Sequence, residues 1–152
     1  MTIVTVTNLS PVVNVTDSPT DFRIDIGLNP PIFNLTGHSI FAASGGLNAY
    51  QFVIIDPADG TAHCADGENP THAGLVVGIT AEARAAGQPV TIQIAGEITN
   101  PAWDLIAGEI YYLALAGTIS RTPPSRGFWQ KVGTSKDRTT LIIRMGEPVL
   151  VI

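Results

Sequence analysis

The groups in this chain that could do chemistry crowd between residues 56 and 72. They are the carboxylates Asp56, Asp59, Asp66 and Glu68, the adjacent pair His63 and Cys64, and His72. A zinc-type site needs three or four such ligands converging on one ion. Adjacent residues on a strand point to opposite faces, so His63 and Cys64 are not expected to share a metal. Cys64 is the only cysteine, which excludes an intrachain disulfide and a second thiolate ligand. The carboxylates could hold a hard cation or serve as a glycosidase pair. The calcium-loop spacing is missing, however, and Asp56-Pro57, Asp59-Gly60 and Asp66-Gly67 are explained as turn formers. The sequence has neither a Gly-x-Ser-x-Gly nucleophile elbow nor a glycine-rich phosphate loop leading into a helix. The expectation is a chain with no catalytic residues, no metal and no cofactor.

Elements that position nothing catalytic must serve something else, and the composition says what. Of 152 residues only 14% are charged while 45% are apolar, so Thr, Ser, Asn, Gly and small apolar groups must cover much of the surface. A surface of that kind suits packing against protein, and a homo-oligomer is expected. The net charge of −5 argues against nucleic acid, which requires a basic footprint. Charge is also unevenly placed: residues 1–112 hold two basic and eleven acidic side chains, net −9, and residues 113–152 hold six basic and two acidic, net +4. Contact between unlike halves of two copies would bring opposite potentials together, although ordinary solvated faces would give the same count. The first residues carry no basic, apolar leader and no stretch reaches the roughly 18 apolar residues of a membrane span. Synthesis in a cytoplasm and no membrane partner are expected.

Strand signals dominate the chain. Apolar runs at Phe52–Ile55, Leu75–Ile79, Val90–Ile94, Ile110–Leu115, Phe128–Val132, Leu141–Met145 and Val149–Ile152 are separated by Gly, Pro and Asp turns. Only Thr80–Gly87 favours helix, with Thr80 as a cap and Gly87 as a stop. The pattern is also written twice. Phe52-Val-Ile-Ile55 is answered by Ile110-Tyr-Tyr-Leu113, and Val77-Gly-Ile-Thr80 by Val132-Gly-Thr-Ser135, with landmarks roughly 55–59 residues apart. This predicts an all-β body over residues 37–152, a small β-sandwich or β-barrel built from two similar halves related by a pseudo-two-fold. Residues 1–36 differ: Phe22, Ile24, Ile26 and Leu28 alternate with Arg23, Asp25 and Gly27 before Asn29-Pro-Pro31 breaks the run. They read as an extended N-terminal arm or strand segment that could attach to a partner, or as a plain first hairpin of the domain.

The aromatic residues supply the candidate contacts. Tyr111 and Tyr112 must face opposite sides of one strand, as must Phe128 and Trp129, so one of each pair points away from the core. Trp103, Tyr112 and Trp129, together with Phe22, Ile24, Ile26 and Leu28, are the expected protein-interface residues. Sugar stacking is the competing use for the aromatics.

Over residues 73–152 the series Ala73–Thr80, Val90–Ile94, Gly96–Trp103, Ala107–Leu113, Thr122–Pro124, Gly127–Gly133 and Gly146–Ile152 resembles small β domains of tailed-bacteriophage virions. Those domains occur in head fibres, capsid decoration proteins and tail fibres. The resemblance implies a non-enzymatic virion protein, made in the bacterial host cytoplasm, that decorates or stabilises the capsid as a homotrimer. Its partners would be copies of itself and the major capsid protein or another virion protein. The alternative it leaves open is a tail-fibre or receptor/carbohydrate-binding module; a depolymerase fits least.

Overall fold

The computed structural model describes residues 38–152 in full and, before them, the backbone of four strands. These four are β1 (Thr2–Val6), β2 (Val13–Ser18), β3 (Asp21–Asp25) and β4 (Phe33–Asn34). They pair in succession, antiparallel, and Asn34 of β4 pairs with His38 at the start of β5 (His38–Ala42). Phe22 and Ile24 fall on β3, but their side chains are outside the described residues, and so are Ile26, Leu28 and the Asn29-Pro-Pro31 break.

The body is all-β. β5 is followed by β6 (Phe52–Ile55), β7 (Ala62–Cys64), β8 (Val76–Thr80) and β9 (Pro89–Gln93), and then by β10 (Gly96–Thr99), β11 (Ile110–Leu113) and β12 (Ile119–Ser120). β13 (Phe128–Trp129), β14 (Lys131–Ser135), β15 (Thr140–Ile143) and β16 (Val149–Leu150) complete it. The order across the first body sheet is β5-β9-β8-β6-β7, and across the second β10-β15-β14-β11-β12. Substituting β10, β11, β12, β14 and β15 for β5, β6, β7, β8 and β9 turns one order into the other, so the body is one five-stranded antiparallel motif made twice. β13 and β16 form a separate two-stranded ribbon.

The duplication extends to single hydrogen bonds. Thr80 N–H donates to the Gln51 carbonyl at 2.9 Å and Ser135 N–H to the Glu109 carbonyl at 3.0 Å. Tyr50 and Gly108 donate back to the carbonyls of Thr80 and Ser135, both at 2.9 Å, while Leu47 and Leu105 donate to those of Arg84 and Arg138, both at 2.8 Å. Each motif carries a β-bulge at the matching place, one between Val53 and Ile54 and the other between Tyr111 and Tyr112. Gly78 and Gly133 sit beside these bulges because the neighbouring strand comes too close for a side chain. A Cβ on Gly78 would strike the Gln93 carbonyl and the Ile92 side chain, and one on Gly133 the Ile142 carbonyl and Leu141.

The halves are not related by a pseudo-two-fold. A two-fold would bring equivalent faces together. On the first sheet Val53, Ala62, Val90 and Ile92 form one face, the front, which packs with Leu47 and Ala43 into a core of its own. Phe52, Ile54 and Ile79 lie on the back and belong to the larger core, which also holds Leu105, Tyr111, Leu113, Val132 and Leu141. By register Tyr111, Val132 and Leu141 match Val53, Val77 and Ile92, so they are front residues of the second motif. The back of the first motif is therefore buried with the front of the second. The first sheet also curls, since Ala43 bridges to Ala62 with Ser44 N–H on the Ala62 carbonyl at 3.0 Å, but it does not close into a barrel.

Thr80–Gly87 is not a helix. Arg84 and Leu47 exchange two backbone hydrogen bonds of 2.8 Å, and Leu47 is buried, so cross-chain pairing outweighs the local helix propensity of an Ala-rich segment. Within the body four strands escaped the hydrophobic pattern: β7, β10 and β12 are short or polar, β5 places Ile40 and Phe41 side by side rather than in alternation, and all four are held by their neighbours' ladders.

Candidate functional site

Where the two motifs meet, a cleft of about 360 Å³ opens at the surface, lined by Tyr50 from the first motif and by Trp103, Asp104, Leu105, Tyr111, Thr118 and Ile119 from the second. Local chemistry aims each of these groups. The Asn100 side chain accepts from Ala102 N–H at 3.0 Å and its carbonyl accepts from Trp103 N–H at 3.0 Å, a turn around Pro101 that delivers Trp103 to the junction. The ring of Trp103 meets that of Tyr50 edge-on, with centroids 5.7 Å apart at 61°. The Tyr111 hydroxyl accepts from Ile106 N–H at 3.0 Å, which fixes its ring in the floor beside Leu105. Asp104 is held by Arg138 through a single oxygen, Oδ1, at 2.7 and 2.9 Å. Thr118 hangs from the turn Leu115–Gly117, which is pressed against β6: a Cβ on Gly117 would meet the Phe52 carbonyl at 2.7 Å, and Gln51 Nε2 donates to the Ala116 carbonyl at 3.2 Å.

Tyr50 is held at a cost. Its φ is 61°, in the left-handed region that side chains rarely enter, and the matching residue of the second motif is Gly108 at φ 82°. The same backbone hydrogen bond is made at both places, so the fold asks for this conformation twice and only the second motif meets it with glycine.

A second cluster lies on the β6–β7 hairpin. His63 Nε2 is 3.8 Å from Asp56 Oδ2 and 3.6 Å from Asp59 Oδ2. These three side chains could offer ligand atoms to one ion, all within 4.8 Å of one another. The carboxylates also shape the turn: Asp56 Oδ1 accepts from Ala58 N–H at 2.8 Å, and Asp59 Oδ1 accepts from both the N–H and the hydroxyl of Thr61 at 2.8 Å. Those Thr61 bonds hold the Asp59 carboxyl below its usual range. Cys64 points to the opposite face from His63, into the first core, and burial pushes its thiol up. His72 does not join the cluster. Its Nδ1 accepts from Asp66 N–H at 3.0 Å, and burial lowers its affinity for a proton.

The expected contact residues are spread over three places. Trp103 lies in the cleft. Tyr112 is half-buried on the back of the second motif, and Trp129 is exposed on the β13–β16 ribbon with Nε1 donating to the Pro124 carbonyl at 2.7 Å. The alternation argument holds, for their neighbours Tyr111 and Phe128 are the buried partners. Tyr50 was missed, and Asp56, Asp59 and His63 stood among the candidates in the sequence but not as one grouping. For Tyr50, the usable signal was an aromatic aligned with a glycine 58 residues later.

The back of the second motif is a further surface. Glu97, Ile142, Thr134 and Ile110 stand opposite one another across β10, β15, β14 and β11. The corresponding row of the first motif is His38, Gln93, Ile79 and Phe52. There Phe52 and Ile79 are fully buried, whereas Ile110 is 41% and Ile142 39% exposed. No protein-family model and no curated protein matches the chain.

Proposed function

We propose that this protein is a non-enzymatic structural component of a tailed-bacteriophage virion, one that decorates or stabilises the capsid as an oligomer, most simply a homotrimer. The phage setting rests on the resemblance of residues 73–152 to small virion β domains. The assembly role rests on one observation, the uncovered back of the second motif. In the first motif that face is buried against the next motif; in the second, Ile110 and Ile142 face solvent. Covering what remains exposed of two isoleucines, about two fifths of each, yields roughly 1 kcal/mol apiece, and the basic balance of residues 113–152 favours an acidic partner surface. A capsid protein or the acidic first half of another copy fits that description. The segment before residue 37 is read as the attachment strand, joining a partner by backbone pairing.

The test is light scattering of the full chain, followed by sedimentation with capsids that lack it. A mass at least twice the 16.0 kDa of one chain, or retention on capsids, is expected, and Ile142→Asp should weaken both. A monomer that ignores capsids, or a variant that assembles like the parent, overturns the reading.

A further inference from the structure

We infer that the cleft lined by Tyr50 and Trp103 is a binding site for one neutral pyranose ring of a glycan. The inference starts from the strained residue. At equivalent positions the fold places Gly108 and Tyr50 in the left-handed region, and an L-residue kept there points to a use for its side chain. The Tyr50 ring has one, since it packs edge-on against Trp103 and the two rings together form one aromatic side of the cleft. A sugar ring presents an apolar face of C–H bonds and an equator of hydroxyls, and so needs an aromatic surface and a few polar groups at the edge.

The rim supplies those groups. Both Arg138 contacts fall on Asp104 Oδ1, which leaves Oδ2 of this exposed carboxylate with capacity to accept a hydroxyl. Thr118 donates to the Leu115 carbonyl at 2.7 Å and keeps its lone pairs for a donor from the ligand. With Asp104 and Arg138 paired the rim carries no net charge, so it selects a neutral ring over a carboxylated or phosphorylated one. The floor, Leu105 and Ile119, is apolar, and the volume of about 360 Å³ lies at the small end of the range for ligand clefts. The site does not depend on the virion assignment: a decorating protein and a receptor-binding module could each carry it.

The test is saturation-transfer NMR on the full chain with glucose, galactose, mannose, rhamnose and N-acetylglucosamine and their short oligomers, with titration of tryptophan fluorescence. At least one sugar should receive saturation and shift the emission. Trp103→Ala and Tyr50→Gly should each weaken its binding at least tenfold while keeping the dispersed amide spectrum of the folded parent. Val149→Ala, an exposed change on the β13–β16 ribbon, should bind as the parent does. The proposal falls if no sugar of the panel binds, if both cleft variants bind normally, or if a hexaproline peptide perturbs the cleft resonances while no sugar does.

Discussion

Thr80 and Ser135 are one buried hydroxyl made twice. Thr80 Oγ1 donates to the Asn48 carbonyl at 2.6 Å, Ser135 Oγ donates to the Ile106 carbonyl, and the two acceptors are 58 residues apart, like every other matched pair on the strand that follows. Each hydroxyl sits at the end of the central strand of its motif, β8 or β14, and pins the loop entering the neighbouring strand, β6 or β11. Thr80 Oγ1 also accepts from Gln51 N–H at 3.0 Å, so its loss would leave a donor and an acceptor unmatched. Thr80→Val should cost about 1–3 kcal/mol and Ser135→Ala about the same or less. Chemical denaturation reads both. An effect below about 0.5 kcal/mol for Thr80→Val would mean that water replaces the hydroxyl.

Gly78 and Gly133 should fail alike. A methyl at either position runs into a backbone carbonyl of the adjacent strand, which cannot move aside as a flexible side chain would. Gly78→Ala and Gly133→Ala are each expected to destabilise by about 2 kcal/mol or more, in the range of overpacked cores. Gly45→Ala, where a Cβ meets nothing within 4 Å, is the control and should be nearly neutral.

Attachment to a partner should depend on the N-terminal segment. Ile24 lies on β3 and pairs with Val15 and Phe33, and its sequence neighbours alternate polar with apolar. Ile24→Asp would put an unpaired carboxylate on the face meant for burial, so capsid retention should fall at least tenfold while the melting of the body stays that of the parent. Undiminished retention would move the attachment surface to the body.

These features differ in how far the sequence betrays them. The central strands of the motif were legible because Val77-Gly78-Ile79-Thr80 and Val132-Gly133-Thr134-Ser135 keep a glycine and a hydroxyl at the same spacing, and both residues are demanded by backbone contacts. The outward turn of Tyr112 and Trp129 was legible from strand alternation alone. The last strand of each motif departs from the 55–59 spacing, since Ile92 matches Leu141 at an offset of 49, the intervening loop being shorter in the second copy. The face-to-back stacking left no trace, because Phe52 and Ile110 are both plain apolar residues and only the packing tells that one is buried and the other bare. The cleft was hidden for a related reason. Tyr50 and Trp103 lie 53 residues apart in different motifs, and nothing local couples them.

Acidification should loosen the loop that carries Asp66. His72 Nδ1 accepts a hydrogen bond from Asp66 N–H, so the neutral ring is the form the fold uses, and burial, opposed by the nearby Asp66 carboxylate, lowers its affinity for a proton. A base whose folded-state pKa lies below its unfolded value of about 6.5 leaves the unfolded chain holding more protons between the two values. Stability from this group is therefore complete above about pH 6.5 and is lost as pH falls toward and through the lowered value. Melting temperature measured from pH 7.5 to pH 5 should fall for the parent, and the fall should be shallower for His72→Gln, which has no proton to take up. Equal slopes for the two proteins would place the acid sensitivity elsewhere, with His38 and His63 the other imidazoles to replace.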